Sequence, residues 1–246
     1  MHRPRRLLVV LALCALAATL AACDSGGSPE PPDPTCTGPP APSADGPLVP
    51  LAVGNSWTYE RTYYQRPTPQ TDTLRAEVTD KVRVSHDGET YEAAVWGLYD
   101  PTATDRPGFP RPLRWNGPEG TYQLGGIAEA DTFTTRFLQL QYPAEPGTEY
   151  DVPVLAYDPP SPQEFVFSDT LTYRVDSTEA TFTTPVGTFT SYIFHYKRRP
   201  APDVGGFWHF KIYYAAGIGP IGLVVREDDG DLVSRRVLTD CHIRGS

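Results

Sequence analysis

Apolar and polar residues alternate over short segments along most of the chain after residue 50. Trp57, Tyr59 and Tyr63 alternate with Thr58 and Glu60, and this period of two is typical of a β-strand with one buried face. Similar segments predict further strands at 74–84, 90–99, 113–115, 121–124, 165–175, 180–184, 188–197, 207–215, 221–227 and 232–240. No segment long enough for an ordinary helix shows a 3.6-residue period.

Turn residues separate the predicted strands and indicate that neighbours run in opposite directions. Asp87-Gly88 is a favoured hairpin dipeptide, and 116–120 and 228–231 are further turns of Asn, Asp and Gly. We therefore predict an all-β, mainly antiparallel domain. Its architecture is a single strongly curved sheet or an incomplete barrel with few short helices.

Two segments are less regular. The strand at 74–84 is predicted to carry its apolar residues on one face, with Asp80 interrupting that face as a β-bulge; these residues are Leu74, Ala76, Val78, Val82 and Val84. Residues 127–141 fit either a short helix or a strand.

One local pattern occurs twice. Gly54 precedes Trp57 by three residues, and Gly147 precedes Tyr150 by the same distance. We expect each glycine to take a positive φ in a turn and each aromatic side chain to fill the core. The pattern is interpreted as a shared turn device.

The first 22 residues are a targeting signal. Three arginines among the first six residues precede an apolar run that is shorter than the roughly 20 residues of a membrane span. The run ends in Leu20-Ala21-Ala22-Cys23, which resembles the bacterial lipobox. That resemblance implies cleavage before Cys23 and attachment of Cys23 to a membrane through several acyl chains. The alternative is ordinary secretion with a free Cys23.

A proline-rich spacer follows the cysteine at 23. Residues 24–50 contain no aromatic residue, whereas all 28 aromatics of the chain lie from Trp57 to Tyr214. Proline-rich chain is extended, so the spacer reaches roughly 80 Å at about 3.1 Å per residue. The predicted organisation is a lipoprotein signal at 1–22, a lipidated cysteine and tether at 23–50, and a single β domain at 51–246.

The charge of the chain bears on location and partners. With 21 Lys and Arg against 30 Asp and Glu, the formal net charge is −9, and this acidity argues against a nucleic-acid partner. The expected location is a bacterial cell envelope, facing the periplasm or the cell exterior. Asp24 follows the lipidated cysteine, and because sorting rules at this position differ between bacterial groups, the choice of membrane stays open.

Two cysteines are left once those in the signal and at the lipid site are set aside. Cys36 and Cys241 form an even pair in an exported chain, which favours a structural disulfide. A redox or metal pair is the alternative, and His242 beside Cys241 is its one hint. We expect no metal site and no cofactor.

Three short motifs resemble those of uncharacterised bacterial envelope lipoproteins. Residues 50–59 (PLAVGNSWTY) resemble their opening, 184–189 (TPVGTF) their middle motif and 213–222 (YYAAGIGPIG) their closing motif. The β-rich architecture is similar to that of LolA/LolB lipoprotein carriers, whose curved sheet holds acyl chains. This second likeness is one of fold and does not transfer function.

Catalytic motifs are missing from the sequence. It contains no GxSxG, HExxH, CxxC or P-loop pattern. His195 and His209 lie on adjacent predicted strands and are the candidates for a general base. The acidic run at 227–231 is either a calcium site or an ordinary solvated turn.

Aromatic residues are the most informative candidates for binding. They crowd the segments 189–196 and 207–214, on both faces of the predicted strands. A core on one face with a covering layer on the other explains them, and an apolar or sugar-binding groove is the alternative. The candidate ligand-binding residues are Trp208, Phe210, Tyr192 and Tyr214.

The leading interpretation is a membrane-anchored envelope lipoprotein without catalysis. Its β domain is expected to bind a partner protein or an apolar or glycan ligand. One alternative is an envelope hydrolase that uses His195 or His209. Another is a purely structural or assembly lipoprotein.

Overall fold

A computed structural model of the chain describes residues 36, 46–65, 67–99, 111–128, 131–157, 165–200 and 206–244. Cys23 and the signal segment lie outside the described residues, as does most of the predicted spacer. Twelve strands follow one another: β1 Ser56–Tyr63, β2 Gln70–His86, β3 Glu89–Tyr99, β4 Arg111–Gly117, β5 Gly120–Ala128, β6 Asp131–Gln141, β7 Glu149–Tyr157, β8 Phe165–Thr184, β9 Gly187–Arg198, β10 Trp208–Ala215, β11 Gly219–Glu227 and β12 Leu232–His242.

The strands form a single antiparallel sheet of simple topology. Its order is β6-β5-β4-β3-β2-β1-β12-β11-β10-β9-β8-β7, so two meanders of six strands meet where β1 pairs with β12. The sheet curls until its two edges approach each other. The Tyr150 hydroxyl of β7 accepts a hydrogen bond from the Gln141 amide of β6 at 3.2 Å and donates one to the Gln139 carbonyl at 3.4 Å.

The predicted fold class is confirmed. The domain is all-β and antiparallel, and its one sheet is a nearly closed barrel. The segment 127–141, which fitted two structures, is mostly strand β6. The described residues contain no helix, so the few short helices of the prediction are not found among them, nor is there any helix long and apolar enough to cross a membrane.

The main core lies on the concave face of the sheet. Trp57 stacks on Trp96 with ring centroids 4.8 Å apart and donates from Nε1 to the Ile218 carbonyl at 2.6 Å. Leu48 and Val49 are fully buried in the same core. Core packing therefore extends into the last residues of the predicted spacer.

A second core lies on the other face of β2–β6. The predicted bulge in β2 is present between Val78 and Asp80, but the prediction that all the apolar residues of β2 share one face is wrong. The register shift at the bulge inverts the alternation of the strand. Val78 consequently packs in the main core, while Val82 and Val84 pack in the second one.

The two similar glycine turns have the same backbone geometry. The φ of Gly54 is 88° and that of Gly147 is 89°, as the sequence predicted. Gly54 donates to the Val78 carbonyl at 2.8 Å, and Gly147 donates to the Val175 carbonyl at 2.7 Å. A bulge follows each of these valines. The two meanders thus begin with equivalent turns, strands and bulges.

Candidate functional site

An aromatic row crosses four neighbouring strands on the concave face. Tyr150, Tyr173, Tyr196 and Phe210 lie in register on β7, β8, β9 and β10. Successive ring centroids are 5.8, 4.7 and 4.6 Å apart, and the rings of Tyr196 and Phe210 are nearly parallel at 3°. Trp208 continues the row at 6.4 Å from Phe210. These five side chains are called the aromatic row below.

Burial of the side chains decreases along the row's strands β9 and β10. On β9, Phe194 is fully buried, whereas Tyr196, two residues further on the same face, is half-buried. On β10, Tyr214 is buried, but Phe210 and Trp208 are half-buried. The row therefore runs from the fully buried core to side chains that are partly accessible to solvent.

Two arginines on the concave face lie over aromatic rings and have no carboxylate partner among the described residues. The Arg114 guanidinium of β4 lies 4.3 Å from the Trp96 ring, and that of Arg236 on β12 lies 5.6 Å from the Tyr59 ring. The Nε atom of each is buried and makes no hydrogen bond. Burial lowers the pKa of both side chains, and no described carboxylate pairs with either.

A neighbouring arginine, Arg61, does have a carboxylate partner. Arg61 lies directly opposite Arg236 in the pairing of β1 with β12. Its guanidinium binds Asp72 with two hydrogen bonds of 2.7 and 2.8 Å. Asp72 is therefore already engaged, and the positive charges of Arg114 and Arg236 remain uncompensated by the described residues.

Four tyrosines of the core interact electrostatically with these arginines. Burial raises the pKa of Tyr196 to about 12 and also moves those of Tyr59, Tyr173 and Tyr214 upward. All four phenols are therefore neutral near neutral pH, and the Tyr59 hydroxyl donates to the Pro220 carbonyl at 2.8 Å. The two arginines contact different rings of the core, Arg114 that of Trp96 and Arg236 that of Tyr59.

The two candidate histidines meet on the opposite face of β9 and β10. His195 Nε2 lies 3.2 Å from His209 Nδ1, and His209 Nε2 lies 2.8 Å from Asp228 Oδ1. At the other end, His195 Nδ1 lies 3.8 Å from Asp176 Oδ1. The four side chains form a continuous polar chain from β8 to the β11–β12 turn.

The polar environment of this chain suits a structural role. Burial favours a raised pKa for Asp176, but hydrogen bonds from Lys211 and Arg174 outweigh it and lower that pKa. Burial lowers the pKa of His195, and Asp176 offsets this in part. The ring nitrogens of both histidines face each other or a carboxylate.

The predicted binding residues divide between two places. Trp208 and Phe210 belong to the aromatic row. Tyr192 and Tyr214 lie directly opposite each other farther along β9 and β10, where the Tyr192 ring meets Tyr142 edge-on at 5.1 Å. The structure thus places the set as two pairs on one face of these strands.

The remaining candidate residues have simple placements. Cys36 and Cys241 are joined in a disulfide. The acidic run is the turn between β11 and β12, in which Asp229 accepts from the Asp231 amide at 3.1 Å. Within the part of the chain that the structure describes, no three His, Cys, Asp or Glu side chains are grouped to hold a metal ion.

Arg114 and Arg236 escaped the sequence analysis. Because Arg114 lies between Leu113 and Trp115, alternation alone assigns it to the polar face of its strand. The structure instead packs Leu113 and Trp115 in the second core, which leaves Arg114 on the concave face. Their isolation from carboxylates is visible only in three dimensions.

Comparison with known proteins yields two structural likenesses. No known protein family and no curated protein matches the chain. A chain described as a "putative lipoprotein" from Parabacteroides distasonis has a TM-score of 0.45 and 12% identity, covering 80% of this chain and 98% of its own. A "putative exported protein with YmcC-like fold" from Bacteroides fragilis has a TM-score of 0.41 and 13% identity, covering 80% and 99%. At such values neither likeness supports a conclusion about this protein.

Proposed function

We propose that this protein is a lipid-anchored component of a bacterial cell envelope whose β domain binds a small, largely apolar ligand without catalysis. The targeting signal and the lipobox-like residues ending at Cys23 support the location. The proline-rich spacer supports a domain held away from its membrane.

The observation that carries the binding function is the aromatic row, of which three side chains on β9 and β10 remain partly accessible. Small-ligand sites are concave and mostly apolar, with a few polar groups that fix orientation. The row supplies flat apolar surface on β7–β10, and tyrosine hydroxyls supply the polar groups. The half-buried state of Tyr196, Phe210 and Trp208 means that this surface is not consumed by packing.

The hydrolase alternative receives less support from the geometry. A general base needs a free ring nitrogen within reach of the proton that it removes. His195 and His209 instead face one another and two carboxylates. Their chain also lies on the face of β9 and β10 that points away from the aromatic row.

Native mass spectrometry of the full lipidated chain, released from detergent in the instrument, tests the binding function. We expect a reproducible additional mass that dissociates on activation. Phe210→Ala is expected to lower its occupancy about tenfold, since a lost aromatic contact is worth about 1 kcal/mol or more. Tyr64→Ala, which removes a more exposed aromatic outside the row, should leave it unchanged.

The result that would contradict the proposal is equally specific. A bare polypeptide mass in every gentle preparation, with recovery of one dominant protein by crosslinking in the envelope, would favour the structural or assembly interpretation. Equal loss in Phe210→Ala and Tyr64→Ala would place the ligand elsewhere.

A further inference from the structure

The two junctions between the six-stranded meanders are built differently, and one of them is not closed by strand pairing. We propose that the barrel opens laterally between β6 and β7, that the Tyr150 hydroxyl is the latch of this opening, and that the apolar ligand enters there to reach the aromatic row. This inference rests on the proposed function and adds a route of entry to it.

One junction is a continuous ladder, because β1 pairs with β12 along its whole length, from Ser56 to Tyr63. At the other junction, β6 and β7 are the two ends of the sheet order. The strand pairings of the described residues join β6 to β5 and β7 to β8, and none joins β6 to β7. The outer backbone groups of these two strands therefore lack the ladder that closes the first junction.

The equivalent glycine turns make this difference informative. The turn at Gly54 leads into β1 and the turn at Gly147 leads into β7, so the two junctions occupy equivalent places in the two meanders. The aromatic residue after the first turn, Trp57, is fully buried, whereas Tyr150 after the second turn is half-buried. The unpaired junction is thus a local departure from a shared plan.

A side chain bridges β6 and β7 where a ladder is missing. The Tyr150 hydroxyl accepts a hydrogen bond from the Gln141 amide at 3.2 Å and donates one to the Gln139 carbonyl at 3.4 Å. Both bonds lie at the ends of the strands that are nearest to their connecting turn. The first half of β6 is bound to β3 instead, where Arg136 donates to the Tyr91 hydroxyl at 2.8 Å. Breaking two hydrogen bonds of one hydroxyl therefore releases the latch.

Pro153 keeps β7 from pairing continuously with β6. A proline fits into a sheet where its missing N–H would point away from the partner strand, on the outer side of an edge strand. Pro153 stays in register opposite Thr170 of β8, so the missing donor lies on the β6 side. On β6, Gln139 is an extra residue between the partners of Thr121 and Tyr122, and this bulge distorts the facing edge.

The latch is also the first member of the aromatic row. The Tyr150 ring centroid lies 5.8 Å from that of Tyr173, so a molecule that passes between β6 and β7 meets one end of the row. Val152 and Val154 of β7 and Phe137 of β6 belong to the main core. Both sides of the junction are therefore apolar on the concave face, which suits the passage of an apolar ligand.

Hydrogen–deuterium exchange of the full lipidated chain in a non-ionic detergent, read by mass spectrometry, tests the opening without a ligand. Amides exchange at a rate set by the equilibrium of local opening. We expect residues 137–141 and 149–154 to exchange about tenfold faster than residues 56–63, because a ladder protects the latter on both sides.

Two tyrosine variants test the latch in the same measurement. Tyr150→Phe keeps the ring and removes both hydrogen bonds, so exchange in β6 and β7 should rise about fivefold, the order expected for a lost hydrogen bond. Tyr59→Phe is the matched control, since it removes the bond from the Tyr59 hydroxyl to the Pro220 carbonyl at 2.8 Å. It should leave exchange in β6 and β7 unchanged.

Uptake of N-phenyl-1-naphthylamine, an apolar fluorescent probe, tests whether the opening is the entrance. Energy transfer from the tryptophans to the probe reports on the bound fraction after stopped-flow mixing. Tyr150→Phe should bind and release the probe about fivefold faster than the wild type, and Tyr59→Phe should keep the wild-type rates. Pro153→Val restores the missing N–H and should slow both the exchange of β6 and the uptake, whereas a merely less stable variant would exchange faster throughout.

The results that would overturn the inference are distinguishable. Equal exchange in β1 and β7 of the wild type would show a closed junction and leave the proposed binding function standing. Wild-type uptake in Tyr150→Phe would place the entrance elsewhere, for example at the Trp208 end of the row. Absence of energy transfer in every variant would overturn both the entrance and the binding of an apolar ligand. If Tyr150→Phe folds poorly, unchanged exchange and uptake in Pro153→Val would contradict the opening.

Discussion

At the scale of single residues, β9 and β10 carry different chemistry on their two faces. One face presents Tyr196 and Phe210 to the interior, and the other presents the histidine chain. Because side chains alternate along a strand, His195 is fixed by the same backbone that fixes Tyr196. The polar chain of His195, His209 and their two aspartates is thus well placed to hold these strands in register. Its charge state is expected to affect the stability of β9 and β10, which carry part of the aromatic row.

The lowered pKa of His195 predicts an acid-sensitive stability. The unfolded chain binds this proton near pH 6.5, but the folded protein binds it only at lower pH because burial disfavours the cation. The free energy of unfolding should therefore decrease as the pH falls from about 6.5 through the lowered pKa. Urea titrations at pH 7.5 and 5.5 should show a smaller decrease for His195→Gln than for the wild type.

His86→Gln is the control for this pH comparison, because His86 lies at the β2–β3 turn and is not part of the polar chain around His195. The free energy of unfolding of His86→Gln should decrease between pH 7.5 and 5.5 by as much as that of the wild type. If the free energy of unfolding of His195→Gln decreases as much as that of the wild type, other groups determine the response to acid.

At the scale of elements, the outer part of the β8–β9 hairpin packs across β10 and β11. The Phe182 ring of β8 stacks on Tyr213 at 4.1 Å and covers Gly222 of β11. A Cβ atom at Gly222 would lie 2.4 Å from the Phe182 ring and 3.3 Å from the Arg236 carbonyl. The glycine thus permits one hairpin to lie on two neighbouring strands.

Gly222→Ala is accordingly expected to destabilise the protein by about 1–3 kcal/mol, the usual cost of overpacking. Adding Phe182→Leu to the same chain should recover part of that loss, because the smaller side chain leaves room for the new methyl group. Urea unfolding of both single variants and the double variant gives the coupling energy. Strict additivity would show that the two residues do not contact each other in solution.

At the scale of the whole molecule, the disulfide joins a residue of the spacer to the last strand. Cys241 is buried in the same core as Leu48 and Val49 and pairs with Trp57 of β1. The bond spans 205 residues of sequence. It therefore ties the spacer to the place where the first and last strands of the sheet meet.

Removal of this bond should lower the free energy of unfolding by about 2–5 kcal/mol. Cys36→Ala and the double variant Cys36→Ala/Cys241→Ala should lose similar amounts if the covalent link itself is responsible, and denaturant unfolding without reductant measures both. A negligible loss in Cys36→Ala would assign the stability to burial of the Cys241 side chain alone.

Short-range signals explain why so much of the fold was predictable. Asp87-Gly88 specified a hairpin because both residues adopt positive φ, at 50° and 82°. Alternation around Trp57 specified a strand with one buried face. The segment 127–141 was ambiguous because its apolar residues fit two periods, and only pairing with β5 decides between them.

Long-range relations set the limit of the prediction. The faces of Val82 and Val84 depend on a bulge whose effect on register no local pattern reveals. The candidate site was found in part, since Trp208, Phe210 and Tyr214 attract attention by their aromatic character. Arg114 and Arg236 did not, because the absence of a nearby carboxylate is a property of the folded chain.

The equivalent turns at Gly54 and Gly147 are what duplication and fusion of one ancestral six-stranded unit would leave behind. Counted from Val78 and Val175 through the strand pairings, Arg114 of the first copy and Tyr214 of the second occupy corresponding places. Two identical copies would line the interior symmetrically. A cation in one copy and a phenol at the corresponding place in the other give the interior two chemically different sides.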